Sequence, residues 1–180
     1  MKRSAIAPIV MALAIATASV VAYAQAADSK TFVNDLTIAG LAEVQLGKLA
    51  AERGSNPDVK AFGQMMVKDH TQAANELKPI AAELKVQQPA QLDQKHKDLA
   101  DKLSKLQGTE FDREYLNAMV SGHEEVAAKV RARVEHKTAS PAATAGAGEQ
   151  KLTQWAAMVL PTVQKHLEHA REIQKKVSTE

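Results

Sequence analysis

The chain contains no cysteine. Disulfides, thiolate metal sites, cysteine nucleophiles and an amino-terminal lipid on Cys are therefore excluded. Aromatic residues make up only 3% of the chain and β-branched runs are few, so the usual material of strands is missing. Glycine and proline are sparse and fall mostly at segment ends, while alanine is abundant. These shortages favour an all-helical protein. Charge of one sign is also lacking: 23 Lys+Arg stand against 21 Asp+Glu. The whole excess lies in Lys2 and Arg3, within a segment that reads as a removable leader, so the mature chain is formally neutral and argues against a nucleic-acid partner. There is no Gly-x-Ser-x-Gly, no obvious triad and no glycine loop for phosphate.

The leader is the first thing present. After the basic start comes an Ala-rich apolar run from Ala5 to Ala22, interrupted by Pro8. Two small-residue patterns follow, Ala22-Tyr23-Ala24 and Ala24-Gln25-Ala26. Residues 1–26 thus read as a secretory signal peptide cut after Ala24 or Ala26, and the product as periplasmic or secreted. No later run is long and apolar enough to span a bilayer, so no stable membrane span is expected once the leader is gone. Residues 27–180 are long enough for one domain with its own core.

Apolar residues then recur at the helical period in four long stretches and one short one. Phe32, Leu36, Ala39, Leu46 and Ala50 form the first stripe, with Gly40 and Gly47 beside it to admit a close neighbour. Asn56-Pro57-Asp58 is a strong helix start and opens the second, Val59, Phe62, Met66, His70, Ala73 and Leu77, in which Pro79 predicts a kink or restart. The third is short, Leu92 to Gln107. The fourth starts at Thr109, with Asp112 resembling the partner in a capping box, and carries Phe111, Tyr115, Met119, His123, Val126 and Val130. An uncharged Ala/Gly/Ser/Thr/Pro stretch, 138–148, reads as a flexible loop. The fifth runs from about Glu149 to Val177 through Trp155, Val163, His166 and Ile173, with a bend expected at Pro161. This pattern predicts an antiparallel four-helix bundle, with the short helix in the crossover between two hairpins.

Each long stripe is broken by one metal-liking residue: Glu43, His70, His123 and His166. A polar side chain in a helical core costs several kcal/mol unless it is paired or metal-bound. At one depth, three imidazoles and a carboxylate could surround a single transition-metal ion, Zn, Fe, Cu or Ni by ligand type. Met66 and Met119 stand one turn from two of these histidines, and such soft neighbours tilt the choice towards copper. A closed polar network, with the histidines bonded to Glu43, Tyr115 or backbone carbonyls, explains the same residues without a metal. Asp69 and Glu124 adjoin stripe histidines but point about 100° away around their helices, which argues against co-ligation. His166 with His169 could chelate a surface ion, and His136 reads as solvated near a helix end.

Four blocks carry a family resemblance: Gly40-Leu41-Ala42-Glu43-Val44; Met66-Val67-Lys68-Asp69-His70; Phe111-Asp112-Arg113-Glu114-Tyr115-Leu116 with His123-Glu124; and Leu160-Pro161-Thr162 with His166-Leu167. Together they resemble the domain of unknown function 4142, over nearly all of the mature chain. The resemblance implies a ferritin-like bundle and an envelope location, and no established activity. Di-iron proteins of that fold use Glu-x-x-His pairs, whereas Val67, Val120 and Val163 stand three residues before the three histidines here, so an iron oxidase is not expected. Two functions stay open: a non-catalytic envelope or stress protein acting through an unidentified envelope partner, and a mononuclear metal-binding or buffering protein.

Overall fold

A computed structural model gives the backbone of residues 9–139 and 146–178, and the side chains of 28–135 and 146–178. Five helices and no strand occur among the described residues: α1 (Ile9–Arg53), α2 (Pro57–Glu83), α3 (Gln94–Ser104), α4 (Gly108–Ala139) and α5 (Ala147–Val177). The protein is all-α, as the composition requires. The side chains around the two cleavage patterns, residues 140–145 of the expected loop and the His136 side chain lie outside the described residues. Among the described residues, no helix is long and apolar enough to cross a membrane.

Local chemistry accounts for the boundaries. The Asn56 side chain accepts a hydrogen bond from the Asp58 amide, and Pro57 occupies the first position of α2, where no N–H is needed. Asp93 caps α3 by accepting from the His96 amide, so that helix starts later than its apolar pattern. α2 and α5 remain helical through Pro79 and Pro161. The capping box expected at Thr109 does not form. α4 opens one residue earlier, at Gly108, whose φ of 60° suits glycine. Asp112 is turned instead to the α1–α2 corner: its carboxylate accepts from the Ser55 amide (3.0 Å), the Ser55 hydroxyl (2.5 Å) and the Asn56 amide (2.8 Å).

α1 packs chiefly on α2 and α4 on α5, and contacts of α2 with α5 and of α1 with α4 join the two pairs. The first pair is drawn together at two glycines. A Cβ on Gly47 would lie 2.7 Å from the Gly63 carbonyl oxygen, and one on Gly63 2.6 Å from that of Gly47. Gly40 meets nothing within 4 Å, so only Gly47 does the work expected of both.

The core is in two parts. One apolar cluster joins Leu46, Phe62, Met66, Leu103, Tyr115, Met119 and Ile173. The other joins Phe32, Val33, Leu77, Val130, Leu152 and Trp155. Along α1 the change from the second cluster to the first falls between Phe32 and Leu46. Along α2 it falls between Met66 and Leu77, along α4 between Met119 and Val130, and along α5 between Trp155 and Ile173. Glu43, His70, His123 and His166 occupy those four intervals. The polar residues therefore form a waist between two dry halves.

Candidate metal centre

The three histidines meet at the waist. Ring centroids are 5.7 Å apart for His70 and His123, 5.6 Å for His70 and His166, and 5.5 Å for His123 and His166. One nitrogen from each lies within 4.8 Å of those of the other two. His123 and His166 are 2% and 4% exposed, and His70 is half-buried, so it is the outermost of the three. Bonds of about 2.1 Å at tetrahedral angles need nitrogens roughly 3.4 Å apart, so a metal would have to draw the rings in by about an ångström.

Hydrogen bonding decides which nitrogen of His123 and of His166 is free. His123 Nδ1 is 2.8 Å from the Met119 carbonyl oxygen, which can only accept, so Nδ1 carries the proton and Nε2 keeps its lone pair. His166 Nε2 is 3.0 Å from Asp69 Oδ2 and donates to that carboxylate, leaving Nδ1 as the lone-pair atom. His123 Nε2, His166 Nδ1 and His70 Nε2 are all buried and have no hydrogen-bond partner in the protein. Burial also keeps the rings neutral. It is the main cause of the fall of His70 to about 3, with His123 and His166 adding repulsion. Burial likewise lowers His123 to about 4, against a smaller opposing effect of the Met119 carbonyl. It lowers His166 too, although Asp69 pulls the other way. At neutral pH the waist holds three uncharged imidazoles with free lone pairs, the form that binds metals.

Glu43 reaches the waist but not the point where the nitrogens gather. Its Oε1 is 3.6 Å from His123 Nδ1, the nitrogen already committed to Met119, and it is not among the converging ligand atoms. That separation is too long for a hydrogen bond. It is no ion pair at neutral pH either, because burial pushes the Glu43 carboxyl up to about 8 while His123 is held down. Glu43 Oε2 and the Tyr115 hydroxyl are both buried without partners, so the closed network that would satisfy these residues is not formed. Met66 and Met119 lie in the apolar cluster on one side of the histidines, fully buried.

Asp69 is what the sequence pattern missed. On α2 it does point away from His70, but that side of α2 faces α5, and there it meets His166. A carboxylate fixing the second nitrogen of a histidine is the usual outer support of a metal ligand: it sets the tautomer and raises basicity. The remaining histidines stay outside. His169 packs edge-on against Phe62, with ring centroids 5.5 Å apart, and His96 bonds to Asp93 at 2.6 Å.

Two cavities flank the waist. One, of about 370 Å³, opens between α2 and α5 and is lined by Asp69, His70, Glu76, Met158 and His166 among others. The other, also about 370 Å³, lies among α1, α3 and α4, with Glu43 in its wall and none of the three clustered histidines.

The match to domain of unknown function 4142 extends over residues 14–173. The chain belongs to that family. None of the curated proteins matches it. Among solved structures, CopM in the Cu(II)-bound form superposes with a TM-score of 0.62 at 18% identity, covering 82% of this chain and 95% of CopM. At that identity the likeness is one of fold. Within this member of the 4142 family, the valines at 67, 120 and 163 remain where the carboxylates of a Glu-x-x-His pair would stand, so the clustered imidazoles can surround one ion but lack the bridging acids for two.

Proposed function

We propose that this protein is an exported, non-catalytic, ferritin-like four-helix bundle of the cell envelope that binds and buffers one transition-metal ion, with copper as the favoured cargo. One observation carries the reading: one nitrogen from each of three imidazoles, on three helices, lies within 4.8 Å of the other two, and each ring has a buried nitrogen with no protein partner. Leaving several polar atoms unpaired in a core costs roughly 1–3 kcal/mol each, a burden that an ion relieves and a scaffold would shed. His70, His123 and His166 would hold the ion, and Asp69 would orient His166. An all-imidazole donor set admits copper among other transition metals, and copper is favoured by the thioethers of Met66 and Met119 one turn from two of the histidines and by the likeness to CopM in its Cu(II)-bound form. Glu43 belongs to the waist and not to the ligand set in this reading, and the α2–α5 cavity, lined by His70 and His166, would give solvent or a partner access to the ion.

The leader pattern supports a periplasmic or secreted location, the compartment in which such buffering would act. The test is metal content. Mature chain stripped with a chelator and offered copper should retain one equivalent by elemental analysis, and His70→Ala combined with His123→Ala should retain none. If the stripped protein takes up no Cu, Zn, Fe or Ni by calorimetry, the reading is wrong, and an exported helical scaffold acting on an envelope partner is what remains.

A further inference from the structure

Met158 is 66% exposed, and it is the large apolar side chain left in the open among the described residues. A single exposed methionine means little by itself. This one lines the same cavity as His70 and His166, two of the three clustered imidazoles. Met158, Thr162 and His166 follow one another at helical spacing along α5, two turns and about 12 Å from end to end. The thioether therefore stands too far out to be a resting ligand and in line with the path to one. The opposite cavity offers no such path: it presents Glu43 and none of the three clustered imidazoles.

We propose that the ion enters and leaves the centre between α2 and α5, that it travels as Cu(I), and that Met158 is its first protein ligand on the way in and its last on the way out. The proposal rests on the metal-binding reading above. Two kinds of group guard the cleft. Asp69 and Glu76 are carboxylates, and they attract any cation. The Met158 sulfur is neutral and soft, and it favours Cu(I) over Zn(II) or Cu(II). No electron is transferred: Cu(I) exchanges one donor set for another, from a carrier's ligands to the thioether and then to imidazoles. A partner that exchanges copper here should present its own soft donors to the α2–α5 face.

The experiment is anaerobic stopped-flow uptake of Cu(I) from its bicinchoninate complex by the stripped mature chain, followed as the coloured complex is lost. Zn(II) uptake from a chromophoric chelator is measured in parallel. Met158→Leu keeps the size and apolarity of an exposed side chain and leaves the fold intact. It should slow Cu(I) uptake by about tenfold or more, leave the equilibrium affinity within about twofold, and leave the Zn(II) rate unchanged. Glu76→Gln should slow both ions together, by about twofold. An unchanged Cu(I) rate in Met158→Leu overturns the proposal, as does equal slowing of both ions, which would mean a steric effect. A large fall in Cu(I) affinity overturns it too, because Met158 would then be a resting ligand. Each of these leaves the three-histidine centre standing. Wild-type chain that takes up Zn(II) but no Cu(I) overturns the route and leaves the centre standing, and chain that takes up no Cu, Zn, Fe or Ni overturns both.

Discussion

Asp112 and two of the waist histidines, His123 and His166, are buried alike and satisfied very differently. Asp112 is fully buried, and both its oxygens are occupied, by two backbone amides and a hydroxyl of the α1–α2 corner. Arg133 is anchored at its two terminal nitrogens, which bond to Asp28, Ser29 and Glu149, while its buried Nε has no partner, and its guanidinium lies 5.3 Å from the Phe32 ring. These groups have partners because their task is to hold chain segments in place. His123 and His166 each commit one nitrogen, to Met119 and Asp69, and one nitrogen from each of the three rings lies within 4.8 Å of the other two. An open buried polar atom is not by itself the mark of a ligand, since Glu43 Oε2 and the Tyr115 hydroxyl are open too; what sets the histidines apart is this gathering of three ring nitrogens. The contrast predicts opposite responses to mutation.

The largest effect is expected where the bonds are closed. Asp112→Ala leaves two amides of the corner without their acceptor and should destabilise the protein by about 3 kcal/mol in urea denaturation. Copper binding should survive at temperatures where the variant is folded, since Asp112 lies in no contact with the waist. A loss below about 1 kcal/mol would mean that water replaces the carboxylate at no penalty, and the contrast would weaken.

Asp69→Ala comes next. Removing a carboxylate that orients a ligand histidine typically lowers metal affinity by about 10–100-fold. The loss here should appear in copper competition titrations, with helicity unchanged because Asp69 sits partly in solvent. A variant that binds copper as tightly as wild type would show that His166 needs no orienting partner.

The third effect is smaller and of opposite sign to the first. His123→Leu exchanges a ring with an unpaired nitrogen for an apolar side chain of similar size. In the metal-free chain it should raise stability by about 1 kcal/mol at pH 7, while abolishing metal uptake. The gain should grow in acid. The folded-state values of His70 and His123 lie below their ordinary value, so their contribution to wild-type stability is fully present above pH 6.5 and is lost as the pH falls through about 4 and then 3. A destabilisation comparable to that of Asp112→Ala would place His123 among the structural groups and sink the comparison.

Much of this was legible in the residues. The apolar period located all five helices, and breaks in four stripes located the waist, because burial and periodicity are properties of one helix at a time. Asp69 was not legible, and Glu43 was read as a ligand, for one reason: both depend on how helices are rotated against each other. Spacing places Asp69 off the stripe of its own helix. Only the packing of α5 against that side of α2 turns it into a partner for His166. In the same way, spacing brings Glu43 to the correct depth but cannot say that it meets the committed nitrogen of His123. Asp112 was misread as a local cap because its partners lie more than fifty residues away. The pairing of Gly47 with Gly63 and the emptiness around Gly40 are likewise matters of helix rotation.

Glu43 offers the smallest and most discriminating test. If it stands outside the ligand set, Glu43→Gln should change copper affinity by less than about twofold, whereas loss of a direct ligand would cost far more than the roughly 10–100-fold of an outer-shell change. Its effect should show in the pH dependence of the metal-free chain instead. The folded carboxyl is raised to about 8 by burial from an ordinary 4.5, so the folded state holds a proton that the unfolded chain has released. The contribution of Glu43 to wild-type stability is therefore fully present below pH 4.5 and falls as the pH rises towards and through 8. Glutamine keeps the shape and cannot ionise, so the variant should lose that alkaline decline while keeping the acid decline caused by the histidines. If the decline between pH 5 and 8 persists in Glu43→Gln, some other buried acid is responsible. If copper affinity collapses with it, Glu43 swings into the coordination sphere when the ion arrives, and the waist has four ligands.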